Sequence, residues 1–257
     1  MNPTRRVAVI ASLVFSAAVM SATATTLNTV SVNFALDGNG GGATGILNGT
    51  QTVEMFCIDF ANEIWVPYEY TVNLTTPTSG ADLSHTRFGG VTNWTSINIA
   101  GDVTDSTVIN NANALGRYQM VAYLTALYHL GDTPANNSYN NGIQEAIWEI
   151  LNPADALNPP GIASSTTALQ AAANWYANTT TVARDSFLAN FQIISDVNMT
   201  TANCSAGAKC GGFQEQMHPD PNAPVVPEPR SQALVLLGAF SLCAVAYRSR
   251  KQAALSK

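Results

Sequence analysis

The chain has 257 residues, with eleven Lys and Arg against seventeen Asp and Glu, and its formal net charge is −6. Between residues 25 and 229 only four basic residues remain (Arg87, Arg117, Arg184 and Lys209) against all seventeen acidic ones, so this segment carries a charge near −13. A nucleic-acid partner is not expected, because there is no basic patch to neutralise phosphates.

Residues 1–24 have the three parts of a secretory signal peptide. Two arginines precede an apolar run at 7–20, and the small-x-small triplet Ala22-Thr23-Ala24 forms a cleavage site. We expect the mature chain to begin near Thr25. An uncleaved N-terminal anchor is the alternative.

The first half of the exported segment has the alternation typical of β-strands. Strands are predicted at 29–36, at 53–60 (VEMFCIDF) and at 63–74 (EIWVPYEYTVNL). The glycine-rich stretch 37–45 lacks the lysine of a phosphate-binding loop, so we interpret it as a hairpin connection. Residues 75–113 are polar and are predicted to be rich in loops.

The apolar period then changes to that of helices. A helix is predicted at 115–130, a loop at 132–142, a short helix beginning near Asn141 and stopped by Pro153, and a third helix from Ser164 or Ser165 through Tyr176. Residues 187–197 are predicted to form a final strand pair or edge. Strands, helices and strands in this order indicate an α+β fold, with a β-rich body and a helical insert.

Gln144 is an unusual residue within the short helix NGIQEAIWEI. It shares one helical face with Ile147, Trp148 and Leu151, which are all large and apolar. A buried amide without hydrogen-bond partners costs about 1–3 kcal/mol. We therefore expect Gln144 either to be well bonded or to take part in chemistry.

Three of the four cysteines lie outside the C-terminal apolar segment. Cys204 and Cys210 are close together in an exported protein, which makes a disulfide between them a plausible pairing. Cys57 would then remain as a thiol on the second predicted strand, on the same face as Asp59. The alternatives are a buried structural cysteine, or a disulfide from Cys57 to Cys204 or Cys210.

The C-terminal part contains a proline-rich spacer at 216–229 and, at 230–257, a predicted single apolar helix with a basic end. It resembles the PEP-CTERM sorting signal of Gram-negative bacteria that make exopolysaccharide. The resemblance implies transient anchoring in the inner membrane, cleavage by an exosortase, and release to the outer surface or the medium. An ordinary single-pass anchor is the alternative. The residues that carry the resemblance are Pro227, Glu228, Pro229, Arg248, Arg250 and Lys251.

Two short motifs in the body resemble the thioester domains of bacterial surface adhesins. The first is FCIDF, with Cys57 and Asp59, and the second is the Q-x-A-x-W pattern formed by Gln144, Ala146 and Trp148. The resemblance implies a thioester-like α+β domain at 25–215, in which Cys57 bonds to Gln144. The chain departs from the family motif at Ile143, where those domains carry a threonine. If that threonine helps to polarise the amide, the departure bears on whether the bond forms.

Two functions follow as hypotheses. The first is a surface or matrix protein whose internal thioester reacts with an amine or a hydroxyl on a partner. The second is a non-covalent structural protein of the biofilm, associated with exopolysaccharide, that has the same fold and no thioester. A secreted hydrolase is not expected, since His85, His129 and His218 lack metal-ligand spacing and no nucleophile elbow is present. We therefore predict no enzymatic activity, no cofactor and no metal site.

Overall fold

The computed structural model describes residues 28–35, 42–60, 68–128, 134–151, 166–199 and 212–219. Several predicted features lie outside these residues. They are the signal peptide, Cys204 and Cys210, the PEP motif, and the apolar segment with its basic end. Within the described part of the chain, no helix has the length and apolar character that crossing a membrane requires.

Six antiparallel strands form a closed barrel in the order β1-β2-β3-β6-β5-β4. Closure results from β4 returning to pair with β1 and from the late strand β6 inserting between β3 and β5. The strands are β1 (Asn28–Ala35), β2 (Gly42–Leu47), β3 (Gln51–Cys57), β4 (Tyr68–Thr75), β5 (Phe191–Asp196) and β6 (Gln216–Pro219).

The described helices all lie between β4 and β5 in the chain, which confirms the predicted α+β class and its β-rich character. Their N-termini are stabilised locally where caps are present. The side chains of Asp102, Asn113 and Thr180 accept hydrogen bonds from first-turn amides of α1, α2 and α5. The helices are α1 (Val103–Asn111), α2 (Ala114–Ala126), α3 (Pro134–Ile150), α4 (Thr166–Asn178) and α5 (Thr181–Leu188).

Two apolar cores result from this arrangement. One includes Val30, Val53, Met55 and Val72 from the barrel strands. The larger core packs the helices together and against β3, β5 and β6, and it includes Cys57 and Ile147. The end of β3 therefore lies in the helical core, which is where the candidate site is found.

The structure corrects several predicted boundaries. Strand β2 begins inside the glycine-rich stretch, at Gly42, and Gly45 is required there because a Cβ would come within 2.6 Å of the Ser31 carbonyl oxygen. Helix α3 begins at Pro134, within the predicted loop. Helices α1 and α5 were not predicted. Strand β6 lies in the segment assigned to the proline-rich spacer, so the barrel extends beyond residue 215, the predicted end of the domain.

Candidate functional site

Cys57 is the last residue of β3, and it contacts both strand β6 and helix α3. Its backbone pairs with Gln216 of β6, and the residue is 2% exposed. Its thiol donates a weak hydrogen bond to the backbone carbonyl of Asp59 at 3.5 Å. Cys57 is thus a buried thiol in the helical core rather than a surface group.

Gln144 reaches Cys57 from helix α3. Its amide nitrogen Nε2 donates to the backbone carbonyl oxygen of Cys57 at 2.7 Å, and the residue is 3% exposed. Its amide oxygen Oε1 is buried and accepts no hydrogen bond from any residue that the structure describes. The contact therefore joins the two residues of the predicted motifs, and one polar atom of Gln144 has no partner among the described residues.

Aromatic and aliphatic side chains form the core that includes Cys57 and residues of α3. Phe60 meets Trp148 edge-on at 4.9 Å between ring centroids, and Phe56 packs on Tyr128 at 4.7 Å. Ala146, one of the motif residues, is fully buried in the helical core. The indole nitrogen of Trp148 is also buried, and within the described part of the chain it has no acceptor. The apolar surroundings give a low local polarity, in which unpaired dipoles are costly.

Glu145 is the carboxylate next to Gln144 in sequence. Burial raises the pKa of this carboxyl, and the nearby charge of Glu149 raises it further. One of its oxygens is buried and receives no hydrogen bond from the residues described.

Asp59, the other residue of the first motif, is occupied by an ion pair. Its carboxylate lies 2.7 Å from Nε of Arg87, and both side chains are fully buried. Arg87 also donates from Nη2 to the carbonyl of Phe213 at 3.1 Å. Strand alternation predicted Asp59 on the same face as Cys57, but its side chain pairs with Arg87, so its role is to hold the end of the strand.

Glu215 is the centre of a second buried group that the sequence analysis missed. Its Oε1 accepts from the Arg87 backbone N–H at 2.8 Å and from the Ser195 hydroxyl at 2.6 Å, and its Oε2 accepts from the Tyr118 hydroxyl at 2.6 Å. Burial raises the pKa of Glu215 to about 7; the negative charge of Asp59 adds to the rise, and the hydrogen bonds oppose it.

This buried group, formed by Asp59, Arg87, Tyr118, Ser195 and Glu215, also holds the backbone next to Cys57. The N–H of Ile58 donates to the carbonyl of Glu215 at 3.1 Å. The side chain of Gln214 donates to the carbonyl of Asp59 at 3.0 Å, the same oxygen that accepts from the thiol. We call these five residues the charged clamp, because they fix the turn that follows Cys57.

Nothing in the sequence marked the charged clamp as a unit. Its members come from five separate segments, and Arg87 stood out only as one of four basic residues in an acidic domain. In the described part of the chain, no group of three or more His, Cys, Asp or Glu side chains could hold a metal ion. No family model, curated protein or solved structure matches this chain.

Proposed function

We propose that this chain is an exported protein whose domain forms an internal thioester between Cys57 and Gln144, and that the bond serves covalent attachment to a surface partner. The observation that carries the proposal is the buried hydrogen bond from the Gln144 amide nitrogen to the backbone carbonyl oxygen of Cys57 at 2.7 Å, together with an amide oxygen that has no donor among the described residues. A structural glutamine in an apolar core is expected to have its polar atoms bonded.

The bond would form by attack of the Cys57 sulfur on the side-chain carbonyl carbon of Gln144. The S–C bond forms, the C–N bond breaks, and the nitrogen leaves as ammonia after taking up the thiol proton. Glu145 follows Gln144 in α3, and burial raises the pKa of its carboxyl.

The apolar walls favour the product over the starting amide. An amide in this position keeps one oxygen without a donor among the described residues, which costs about 1–3 kcal/mol. A thioester carbonyl is a weaker hydrogen-bond acceptor and has no N–H groups. Replacing the amide by a thioester therefore lowers the cost of burying this carbonyl, and it gives up the hydrogen bond from Nε2 to the Cys57 carbonyl.

The thioester would be consumed by a nucleophile on another surface. An amine would displace the sulfur to give an amide, and a sugar hydroxyl would give an ester, with the Cys57 thiol restored in both cases. The signal peptide and the PEP-CTERM resemblance support a setting outside the inner membrane, where an exosortase is the expected sorting partner and exopolysaccharide is an expected hydroxyl source.

A non-covalent matrix protein is the second candidate, and one observation favours it. The hydrogen bond from Gln144 Nε2 to the Cys57 carbonyl has good length for a neutral pair and by itself ties α3 to β3. In that case the residues stabilise the fold, and binding to the matrix relies on other surfaces.

The intact mass of the full-length chain tests the proposal. We expect the wild type to be lighter than calculated by one ammonia and to gain one methylamine on treatment. Cys57→Ala and Gln144→Glu should show neither change. Gln119→Met is the matched control, because Gln119 is also a buried glutamine that donates to a backbone carbonyl, that of Pro77 at 3.0 Å. It should behave as the wild type does.

A wild-type mass equal to the calculated value, with no uptake of methylamine, would sink the thioester and leave the non-covalent candidate. A mass deficit that persists in Cys57→Ala would locate the reaction elsewhere in the chain. Fragmentation of the methylamine-treated protein should find the added group on Gln144.

A further inference from the structure

Helix α3 presents three buried side-chain atoms without a hydrogen-bond partner among the described residues, and two of them, on Gln144 and Trp148, have complementary needs. Gln144 Oε1 can only accept and Trp148 Nε1 can only donate, and neither has a partner among the residues described. The two residues are four apart on one helix, so their side chains project from the same face one turn apart. We call these two atoms the carbonyl–indole pair.

The surroundings restrict both side chains. Trp148 is 9% exposed, and its ring is held edge-on against Phe60 at 4.9 Å. Gln144 is anchored through Nε2 to the Cys57 carbonyl. Ile143, which stands where thioester domains carry a threonine, is buried and has no side-chain donor. The indole N–H, one turn along α3 from Gln144, is therefore a buried side-chain donor without an acceptor among the described residues, and it can serve the Gln144 carbonyl.

We propose that Trp148 is a catalytic residue of the Cys57–Gln144 reaction, in which its indole N–H stabilises the oxyanion that develops on the Gln144 carbonyl oxygen. This inference rests on the proposed thioester. When sulfur or an incoming nucleophile adds to the carbonyl carbon, the carbon becomes tetrahedral and the oxygen gains negative charge. The oxygen also shifts position as the trigonal carbon pyramidalises.

The absence of a ground-state bond within the described residues fits this role. A donor that bonds the oxygen only in the tetrahedral state lowers the barrier without stabilising the starting amide. Trp148 neither gives up nor receives a proton. The leaving ammonia takes the thiol proton during formation, and the restored thiol receives the proton of the attacking amine during cleavage.

The indole N–H would act in both reactions of the thioester. It would assist formation of the thioester after folding and its cleavage by a partner's amine or hydroxyl. Loss of one oxyanion donor lowers the rate of acyl transfer by about 100-fold or more in enzymes. We expect a decrease of this size in methylamine cleavage when the indole N–H is removed.

The test uses the full-length chain and follows mass against time in methylamine. Trp148→Phe keeps an aromatic ring against Phe60 and removes the donor. Trp175→Phe is the matched control, because Trp175 lies on another helix, α4. Its ring stacks on Tyr123, with 4.9 Å between the ring centroids. We expect Trp148→Phe to incorporate methylamine about 100-fold more slowly than wild type, and Trp175→Phe to match wild type.

Each outcome decides the matter. A Trp148→Phe protein that carries the ammonia deficit and reacts at the wild-type rate overturns the role of Trp148 and leaves the thioester intact. A wild type without the deficit overturns both proposals. If Trp148→Phe does not fold, benzothienylalanine at position 148 replaces the N–H by sulfur with nearly the same shape. A wild-type rate in that variant overturns the inference, and a slow rate supports it.

Discussion

Cys57 and Asp59 lie two residues apart at the end of β3, yet their polar surroundings are opposite. Around Asp59, the charged clamp bonds both carboxylate oxygens of Glu215 and pairs Asp59 with Arg87. Around Cys57, the carbonyl–indole pair has neither atom bonded within the described part of the chain. The region around Cys57 therefore has fewer of its buried polar groups bonded among the described residues than the charged clamp has, although the clamp buries more charge.

The difference indicates that buried polar groups have two roles in this protein, one structural and one in the proposed reaction. A satisfied network rigidifies the backbone that it bonds, and here Glu215 of the clamp accepts from the Ile58 N–H while its neighbour Gln214 bonds the Asp59 carbonyl. The carbonyl–indole pair has no partner among the described residues and so no such benefit to offset its desolvation cost, which supports the proposed thioester chemistry. The clamp then supplies the rigidity that a reactive contact needs, since a reacting pair must be held close to its productive geometry.

The largest effect should come from Arg87→Met, which tests the charged clamp. It leaves the Asp59 carboxylate buried without its ion-pair partner, and removing one member of such a pair destabilises a protein by about 3–5 kcal/mol. Arg184→Met is the control, because Arg184 bonds the Tyr176 carbonyl in a half-buried setting. In urea unfolding, Arg87→Met should lose at least about twice as much unfolding free energy as Arg184→Met. Equal losses would deny the clamp its structural role.

The next effect should appear in the pH dependence of stability. The pKa of Glu215 is about 7 in the folded protein, against 4.5 as its ordinary value. The folded state therefore binds the proton more tightly, so this stabilisation is complete below pH 4.5 and is lost as the pH rises through 7. Relative to Glu215→Gln, the wild-type unfolding free energy should fall by about 3 kcal/mol across that window. Parallel curves of unfolding free energy against pH for the wild type and Glu215→Gln would contradict this role of Glu215.

The smallest effect should come from Gln144→Met, measured in a Cys57→Ala background so that no crosslink contributes. One hydrogen bond of about 1 kcal/mol is lost, and an oxygen unbonded among the described residues is removed, so unfolding free energy should change by less than about 1 kcal/mol. Gln119→Met gives the cost of an ordinary buried glutamine. A loss above about 2 kcal/mol for Gln144→Met would place Gln144 with the structural residues and favour the non-covalent candidate.

Periodic sequence signals predicted much of the fold. The strand alternation near 29–36 and 53–60 and the apolar ridges of 115–130 correspond to β1, β3 and α2. Helix α1 was missed because VTDSTVINN has little apolar periodicity, although Asp102 is a suitable N-cap for it. Barrel closure was not predicted, because it depends on pairings between strands that are distant in the chain.

The candidate site likewise has a part that the sequence predicted and a part that depends on the tertiary structure. Gln144 could be singled out from its helical face, and the family resemblance paired it with Cys57 before any contact was known. The charged clamp could not be predicted, since a buried Glu215 and Arg87 resemble surface residues in sequence and acquire partners only through the tertiary fold. The unsatisfied state of the carbonyl–indole pair is likewise visible only once neighbours are placed.

The position of β6 has a mechanical consequence. Tension on the chain beyond Pro219 enters the barrel through a strand of four residues, which pairs with β3 at Phe56 and Cys57 and with β5 at four positions. Extracting β6 would remove the Gln216 partner of Cys57 and the Glu215 carbonyl that accepts from Ile58. A pull from that side would therefore act on Pro219 and its partner Phe191 before it reaches the pairing of Gln216 with Cys57, so the register of β6 shields the backbone at Cys57 from load.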